Sequence, residues 1–501
     1  MNLSLLLLVP LFTAIVVLLS KNDKQARTLS LAGASVQFVL TLILLVQFWK
    51  LRASGNFSPM VFEYDSTWFE SWRIHYHVGV DGISVAMILL TAFVVLSGIL
   101  VSWTPVKWNK EFFFLLLLMS VGAYGFFISL DLFTLFFFLE ISVIPKFLLI
   151  GIWGSGKKEY SAMKLALMLM GGSALVFVGL LGLYYHTQTP EGYPSFDLLQ
   201  IAEMHIPRNA QLLFFPFTFI GFGVFTALFP FHTWVPDGHS SAPTAASMFL
   251  AGISMKLGGY GCLRVATYLM PDAARAYAPI IIALATIAII YGAFATMMQK
   301  DLKYINAYSS VSHCGFILLG IGMLTRTSIT GAVMQMVSHG LMTALFFAAI
   351  GMIYSRAHTR TISHLGGLLK IMPFISTVFV IAGLCSLGLP GFSGFVAEIT
   401  VFMGSWQNPS GWYRIATILA CASIVVTAVY ILGAVGQTIM GPIRNSHFQS
   451  LADATWNEKL AAIILISGIV AMGVAPFWIN ELLRPGSELI MQHIERAITI
   501  K

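Results

Sequence analysis

The sequence from residue 111 to residue 153 reads EFFFLLLLMSVGAYGFFISLDLFTLFFFLEISVIPKFLLIGIW. It contains two apolar runs, 111–130 and 131–153, and the second begins at an acidic residue, Asp131. A helix rises about 1.5 Å per residue and the hydrocarbon core of a bilayer is about 30 Å thick, so each run is long enough to cross it. The two runs therefore predict consecutive transmembrane helices.

The rest of the chain has the same character. Of its 501 residues 57% are hydrophobic and only 10% are charged, whereas soluble domains carry roughly 25% charged residues. A water-soluble enzyme is excluded, because too few charged groups are available to cover a globule of this size. We predict an all-α integral membrane protein with about fourteen spans, at 2–19, 28–49, 81–103, 111–130, 131–153, 161–186, 211–235, 242–267, 276–298, 302–323, 328–354, 370–404, 415–440 and 459–481.

Lysine and arginine in the short loops concentrate on one side of this topology. Lys21, Lys107, Lys157, Lys300 and Arg356 all fall in alternate loops that face this side. Such residues accumulate on the cytoplasmic side of membrane proteins. The pattern predicts a multi-pass protein of the bacterial cytoplasmic (inner) membrane with both termini on the periplasmic side.

Several other site classes find little support. The net charge is +7, but no basic stripe with interleaved aromatic residues exists, which argues against nucleic-acid binding. His75 and His77 could form half of a metal site, although a solvent-exposed surface pair is the better interpretation, and we predict no metal site. The cysteines lie inside apolar runs and predict neither disulfides nor a metal motif: Cys262, Cys314, Cys385 and Cys421.

Five ionisable residues lie inside the predicted spans. They are Glu140, Lys256, His313, His339 and Glu398. A charge at bilayer depth costs several kcal/mol, so such residues are rare and usually mark an ion path. Any one of them, and a lone histidine above all, could be a satisfied core group, but five at similar depth on five helices favour a path for ions.

Two of the predicted helices are interrupted. Pro230 lies within the seventh span, and GLPGFSG occupies residues 388–394 of the twelfth. Irregular backbone survives at membrane depth only where it is buried in protein or lines a cavity. The spacing predicts two inverted five-helix repeats, 111–267 and 268–440, flanked by helices 1–3 in 1–110 and helix 14 with its tail in 441–501. A simple proline kink remains the alternative for the seventh span.

Specific motifs then carry a family resemblance. They are FPFHTWVPDGHSSAPT at 229–244, LAGISMKLGGYG at 250–261, DLKYINAYSSVSH at 301–313, QMVSHG at 335–340 and GFSGFVAE at 391–398. Together they resemble the antiporter-like membrane subunits of respiratory complex I, NADH:quinone oxidoreductase, over essentially the whole chain. The M or chain-4 type is the most similar, because Glu398 stands where the L and N types usually have lysine.

The resemblance implies a translocase subunit that moves H⁺ across the membrane, coupled to quinone reduction elsewhere in the complex. It implies that Glu140 is the fifth-span glutamate, Lys256 the eighth-span lysine and Glu398 the exit group. His313 and His339 would be the central relay, and His232 belongs to the His-Thr-Trp motif. No cofactor is expected in this chain. NADH, FMN, Fe–S clusters and quinone are expected in partner subunits, and L-type and N-type subunits as neighbours in the bilayer.

One departure from the family concerns the cation that pairs with Glu140. The family usually has a lysine seven residues before the His-Thr-Trp histidine, and here that position is Phe225. We hypothesise that Lys146, another intramembrane lysine, supplies the displaced cation. On a regular helix Glu140 and Lys146 point about 240° apart, so direct pairing would need a kink at Pro145. In the alternative, Lys146 extends to the cytoplasmic surface and Glu140 has no lysine partner.

Two other functions share part of this sequence pattern. A subunit of an Mrp-type antiporter or of a membrane-bound hydrogenase has the same expected fold and many of the motifs. A structural spacer that moves no ions would not need the intramembrane charges.

Overall fold

The computed structural model describes residues 1–56, 58–104, 106–187, 192–204 and 206–499. Within these ranges the chain is almost entirely helical. The first half contains α1 Leu5–Leu18, α2 Asp23–Ala53, α3 Gly82–Val101, α4 Asn109–Ile128, α5 Leu132–Trp153, α6 Lys158–His186, α7 Leu198–Glu203, α8 Arg208–Thr226, α9 Trp234–Ser241, α10 Thr244–Phe249 and α11 Met255–Gly261. The second half contains α12 Pro271–Met297, α13 Leu302–Gly322, α14 Arg326–Ala357, α15 Pro373–Ser386, α16 Ser393–Trp406, α17 Gly411–Thr438, α18 Trp456–Val474 and α19 Phe477–Thr499.

Polar side chains fix where several of these helices begin. Asp131 Oδ1 accepts a hydrogen bond from the Thr134 amide at 2.9 Å, and Asp301 Oδ1 accepts one from the Lys303 amide at 2.8 Å. The first amides of a helix have no partner within the helix, and a capping carboxylate satisfies one of them. Asp131 therefore divides α4 from α5, as the two consecutive apolar runs predict.

The predicted membrane fold is confirmed, and every predicted span contains helix. Among the described residues, ten helices are long and apolar enough to cross a membrane. The other four predicted spans do not meet this criterion of length and apolar character, each for its own reason. α1 has only 14 residues, α13 carries the polar run YINAYSSVSH, and the eighth and twelfth spans are divided into shorter pieces.

Both predicted interruptions are complete breaks. α8 ends at Thr226 and α9 begins at Trp234, so a simple kink does not describe the seventh span. In the twelfth span α15 ends at Ser386 and α16 begins at Ser393, with Gly388 and Gly391 at φ of 71° and 96°. Such angles favour glycine because it has no Cβ. The sequence did not reveal two π-helical turns in the eighth span, Leu250–Ser254 and Cys262–Thr267.

One predicted connection and one predicted boundary are corrected at one face of the bundle. The 50–80 connection contains an antiparallel hairpin, β1 Val61–Phe69 and β2 Ile74–Val80, that the sequence did not predict. The last span ends at Val474 rather than at 481, since Pro476 cannot continue the helix. After it, α19 packs against α3, α12 and α14.

Candidate functional site

Lys256 occupies the centre of the eighth span and contacts the eleventh. Its Nζ donates hydrogen bonds to the Ala251 carbonyl at 2.5 Å and to His339 Nδ1 on α14 at 2.8 Å. Lys256 is 0% exposed and His339 is 1% exposed. A buried ammonium must be hydrogen-bonded to offset its lost hydration. The Ala251 carbonyl in the first π-helical turn and the imidazole provide two acceptors.

His313 on α13 continues the series from His339 to Glu398. The two imidazole rings stack with centroids 5.3 Å apart. His313 Nδ1 lies 3.5 Å from Glu398 Oε1, and its Nε2 lies 3.0 Å from Ser386 Oγ. Four of the five predicted intramembrane residues thus form one buried series, Lys256–His339–His313–Glu398, on four helices.

The break in the twelfth span makes room for the carboxylate of this series. A Cβ on Gly388 would lie 2.5 Å from Glu398 Oε2, closer than side-chain carbons are found. Ser386 ends α15 just before the break and binds His313, while Glu398 follows on α16. The interrupted helix therefore positions both an acceptor and a hydroxyl beside the histidine.

Glu140, the fifth predicted residue, lies apart from this series on α5. Its Oε1 makes no hydrogen bond to any described residue. Lys146 is 0% exposed and donates to Ser142 Oγ at 3.0 Å, so it does not reach the surface as the alternative required. Glu140 and Lys146 interact electrostatically without forming a direct ion pair. Phe225 is buried on α8.

His232 lies in the break of the seventh span. It is buried among aromatic rings, 5.5 Å from the Phe229 centroid and 4.9 Å from that of Tyr291. Its Nδ1 has no partner among the described residues. The structure therefore places His232 at a helix interruption, against aromatic rings.

Further buried basic residues were missed by the sequence analysis, among them His239 and Lys303, and also Arg264, which pairs with Asp81. His239 on α9 is 0% exposed, stacks on Phe347, and has no hydrogen-bond partner for either nitrogen in the described part of the chain. Lys303 lies at the very start of the predicted span 302–323, where exposure is expected, yet it is buried and donates to the Ala242 carbonyl at 2.6 Å. His239 interacts electrostatically with both Lys256 and Lys303. One indication of His239 was available in the sequence, because this residue lies inside the motif at 229–244.

The histidine pair of the hairpin is not fully exposed. His77 is buried, and its Nδ1 lies 2.5 Å from Asp197 Oδ2, so the surface interpretation is wrong for this residue. Burial by itself would lower the pKa of His77, but the bond and charge of Asp197 outweigh it and raise the pKa above 6.5. His75 pairs with Asp65 at 2.8 Å. Within the described ranges no group of three or more His, Cys, Asp or Glu could hold a metal.

Comparison with known proteins identifies the family. The family model described as NADH:quinone oxidoreductase/Mrp antiporter, transmembrane, matches residues 129–427. The chain belongs to this family. Within the NADH:quinone oxidoreductase/Mrp antiporter family it is 35% identical to NADH-quinone oxidoreductase subunit M of Rickettsia prowazekii, over 94% of this chain and 95% of that one. It is 33% identical to an NAD(P)H-quinone oxidoreductase chain 4 of Picosynechococcus, over 99% and 94%.

Solved structures of this family agree with the fold. A chain of respiratory complex I from Thermus thermophilus matches with a TM-score of 0.88 and 25% identity, over 98% of this chain and 99% of that one. A chain of the Mrp complex from Dietzia matches with a TM-score of 0.83 at 18% identity, which shows a shared fold. The predicted resemblance to the M or chain-4 type is confirmed.

Proposed function

We propose that the protein is a proton-translocating membrane subunit of an NADH:quinone oxidoreductase and that protons cross it through the series Lys256–His339–His313–Glu398. The observation that carries this proposal is the continuity of that series at the centre of the bundle. Full-length similarity to subunits M and chain 4 supports the choice of complex.

The geometry accounts for two of the three transfers directly. The Lys256 ammonium already donates to His339 Nδ1 at 2.8 Å, which is the distance of a proton hop. His313 Nδ1 and Glu398 Oε1, 3.5 Å apart, need only a small approach for the last transfer. Between the two histidines a bridging water is required, because the ring centroids are 5.3 Å apart.

We further propose that Lys146 provides the positive charge that acts on Glu140. The full burial of Lys146 and its electrostatic interaction with Glu140 support this role. Lys146 donates to Ser142 and makes no direct ion pair with Glu140. A change of the bend at Pro145, inside α5, would move the two charges together or apart. At partly buried sites such a movement changes the Coulomb energy by several kcal/mol. His232, beside the seventh-span break, completes the proposed pathway.

The setting of the subunit is also a proposal. L-type and N-type antiporter-like subunits would be its neighbours, and NADH, FMN, Fe–S clusters and quinone would bind other subunits. We place it in the bacterial inner membrane with both termini on the periplasmic side, opposite the basic loops. The helices would divide into 1–110, two inverted repeats at 111–267 and 268–440, and 441–501.

The test is NADH-driven acidification of inverted membrane vesicles that carry Lys256→Met, with assembly of the complex confirmed first. We expect acidification per NADH to fall, while the matched variant of an exposed lysine, Lys300→Met, keeps the wild-type value. Unchanged acidification in Lys256→Met vesicles would refute the pathway. Ion movement that proceeds without NADH would instead identify an Mrp-type antiporter.

A further inference from the structure

We propose that Tyr260, Ser84 and the buried Asp81–Arg264 ion pair form a second proton outlet, which leads from Lys256 to a cavity on the face that holds the β-hairpin. This inference rests on the proposed function, because it needs a proton on Lys256. The proposed outlet uses other helices than the series through His339 and leaves the protein at another place.

The first observation is a stripe of polar residues along the eighth span. Lys256, Tyr260, Arg264 and Tyr268 follow each other at intervals of four residues. Residues four apart lie on one face of a helix, one above the other. The stripe therefore runs from the central lysine to the end of the span, at the face of the 50–80 and 187–210 connections.

The second observation is a connected set of hydrogen bonds at the middle of this stripe. The Tyr260 hydroxyl lies 2.9 Å from Ser84 Oγ on α3. Ser84 is in turn bound through its amide to Asp81 Oδ1 at 2.9 Å, and Asp81 Oδ2 accepts from Arg264 Nη2. All four of these residues are almost completely buried. Two hydroxyls are thus joined directly, and the Asp81 carboxylate is held beside them by the Ser84 amide, so a water is needed to join Ser84 Oγ to Asp81.

The third observation is unsatisfied hydrogen-bonding capacity beside the ion pair. Arg264 Nε and Nη1 and Thr267 Oγ1 have no partner among the described residues. A guanidinium presents five N–H donors, and buried donors are nearly always satisfied by protein or by ordered water. These groups lie in the π-helical turn Cys262–Thr267, a kind of irregularity that is frequent at functional sites. Water around Arg264 would extend the series toward the surface.

The fourth observation is the cavity at the end of the stripe. It has a volume of about 640 Å³, and Tyr268 forms part of its wall. The Tyr268 ring contacts His493 of α19 with a centroid distance of 4.8 Å. The lining of the cavity is mixed, and among its apolar side chains it includes five ionisable ones, Glu63, Glu203, Asp272, His493 and Arg496. Tyr268 stands one helical turn beyond Arg264, so the cavity approaches the ion pair closely.

The transfer along these groups is a chain of hops that leaves no net change. The Tyr260 oxygen accepts the proton released by Lys256 through water as its own hydroxyl proton passes to Ser84. A water between Ser84 Oγ and the Asp81 carboxylate would carry the proton on to Asp81, and Asp81 would release one to the water beside Arg264. The rings of Phe126 and Phe127 pack against Tyr260 with centroids 5.7 and 5.3 Å away. These rings cover part of the Tyr260 ring with apolar surface.

The first experiment measures protons pumped per NADH by the assembled complex in inverted vesicles. Tyr260→Phe removes only the hydroxyl, and Tyr124→Phe is the matched control, since Tyr124 is fully buried and its hydroxyl has no partner among the described residues. We expect Tyr260→Phe to lower the number of protons pumped per NADH, but by less than Lys256→Met, which removes the proton source of both routes, with the control unchanged. If Lys256→Met pumps poorly and Tyr260→Phe pumps normally, the outlet is wrong and the proposed function stands. If both pump normally, the proposed function itself fails.

The second experiment tests access of water and does not depend on pumping. Thr267→Cys in a Cys421→Ser background places a thiol beside Arg264 and removes the exposed native cysteine. A membrane-impermeant cationic thiol reagent should modify Thr267→Cys from the face of the hairpin and not from the face of the basic loops. A thiol that stays unmodified from the hairpin face overturns the proposal, whatever the effect of Tyr260→Phe.

Discussion

The contact between Gly388 and Glu398 allows a quantitative test of the relay. In Gly388→Ala the new Cβ would lie 2.5 Å from Glu398 Oε2, whereas ordinary contacts begin at 3.4 Å, so the carboxylate must move by about 1 Å. His313 Nδ1 and Glu398 Oε1 are 3.5 Å apart. At an effective dielectric constant of about 20, an increase of about 1 Å weakens the attraction between protonated His313 and Glu398 by about 1 kcal/mol.

This loss should reduce the population of the state with protonated His313 and ionised Glu398 about five-fold, because RT is about 0.6 kcal/mol. We expect the rate of vesicle acidification, normalised to NADH oxidation, to fall by a similar factor if this transfer limits pumping. The control is Gly391→Ala. Gly391 also has a positive φ, so alanine there brings the same backbone strain of about 1–2 kcal/mol. No atom lies within 4 Å of its Cβ position, so Gly391→Ala does not displace the Glu398 carboxylate. Equal acidification in the two variants would refute the reasoning.

Three further predictions concern other groups of the site. Lys146→Met should lower the rate of vesicle acidification as much as Glu140→Gln does. Adding Phe225→Lys to the Lys146→Met chain should restore part of that rate. If the complex assembles and the rate is not restored, the displaced-cation hypothesis is wrong. Ser386→Ala removes a 3.0 Å hydrogen bond to His313. The loss should weaken the binding of the His313 ring in its present position by about 1 kcal/mol. We expect slower vesicle acidification with assembly of the complex unchanged. His77→Gln should remove a pH dependence of hairpin stability. Asp197 raises the pKa of His77, so protonated His77 stabilises the hairpin fully below about pH 6.5, and this stabilisation is lost as the pH rises through the higher folded-state pKa. Limited proteolysis of the hairpin in the wild-type complex should therefore become faster above that pKa. A wild-type hairpin that is equally resistant at all pH values would contradict this.

The sequence predicts the membrane fold because hydrocarbon imposes simple rules. Apolar length fixes a span, and a proline or a glycine-rich run inside it fixes a break, as at Pro230 and 388–394. The hairpin at 61–80 and most of the amphipathic helix α19 obey no such rule, since they lie outside the apolar runs. Their packing depends on contacts with other parts of the chain.

The site was predictable to a similar degree. Lys256, His313, His339 and Glu398 stand out because polar groups inside apolar runs are conspicuous, and the structure brings them together. Lys303 was not predictable as a buried residue, because it sits two residues past the helix cap at Asp301, in the first turn, where the sequence does not tell whether a lysine faces solvent or the bundle. The direction of the Lys146 side chain depends on the rotamer that Ser142 selects, which no sequence pattern specifies.

The packing of α19 on α3 has a consequence for the order in which the protein is made. A methyl group on Gly82 would overlap the carbonyl of Leu482, and Gly486 packs against the Asp81 carboxylate. A ribosome releases α3 long before α19, and domains form from the N-terminus onward during synthesis. The Asp81–Arg264 pair is therefore covered only when the last helix arrives, so a chain shortened before residue 482 should expose a charged pair that quality-control proteases can recognise.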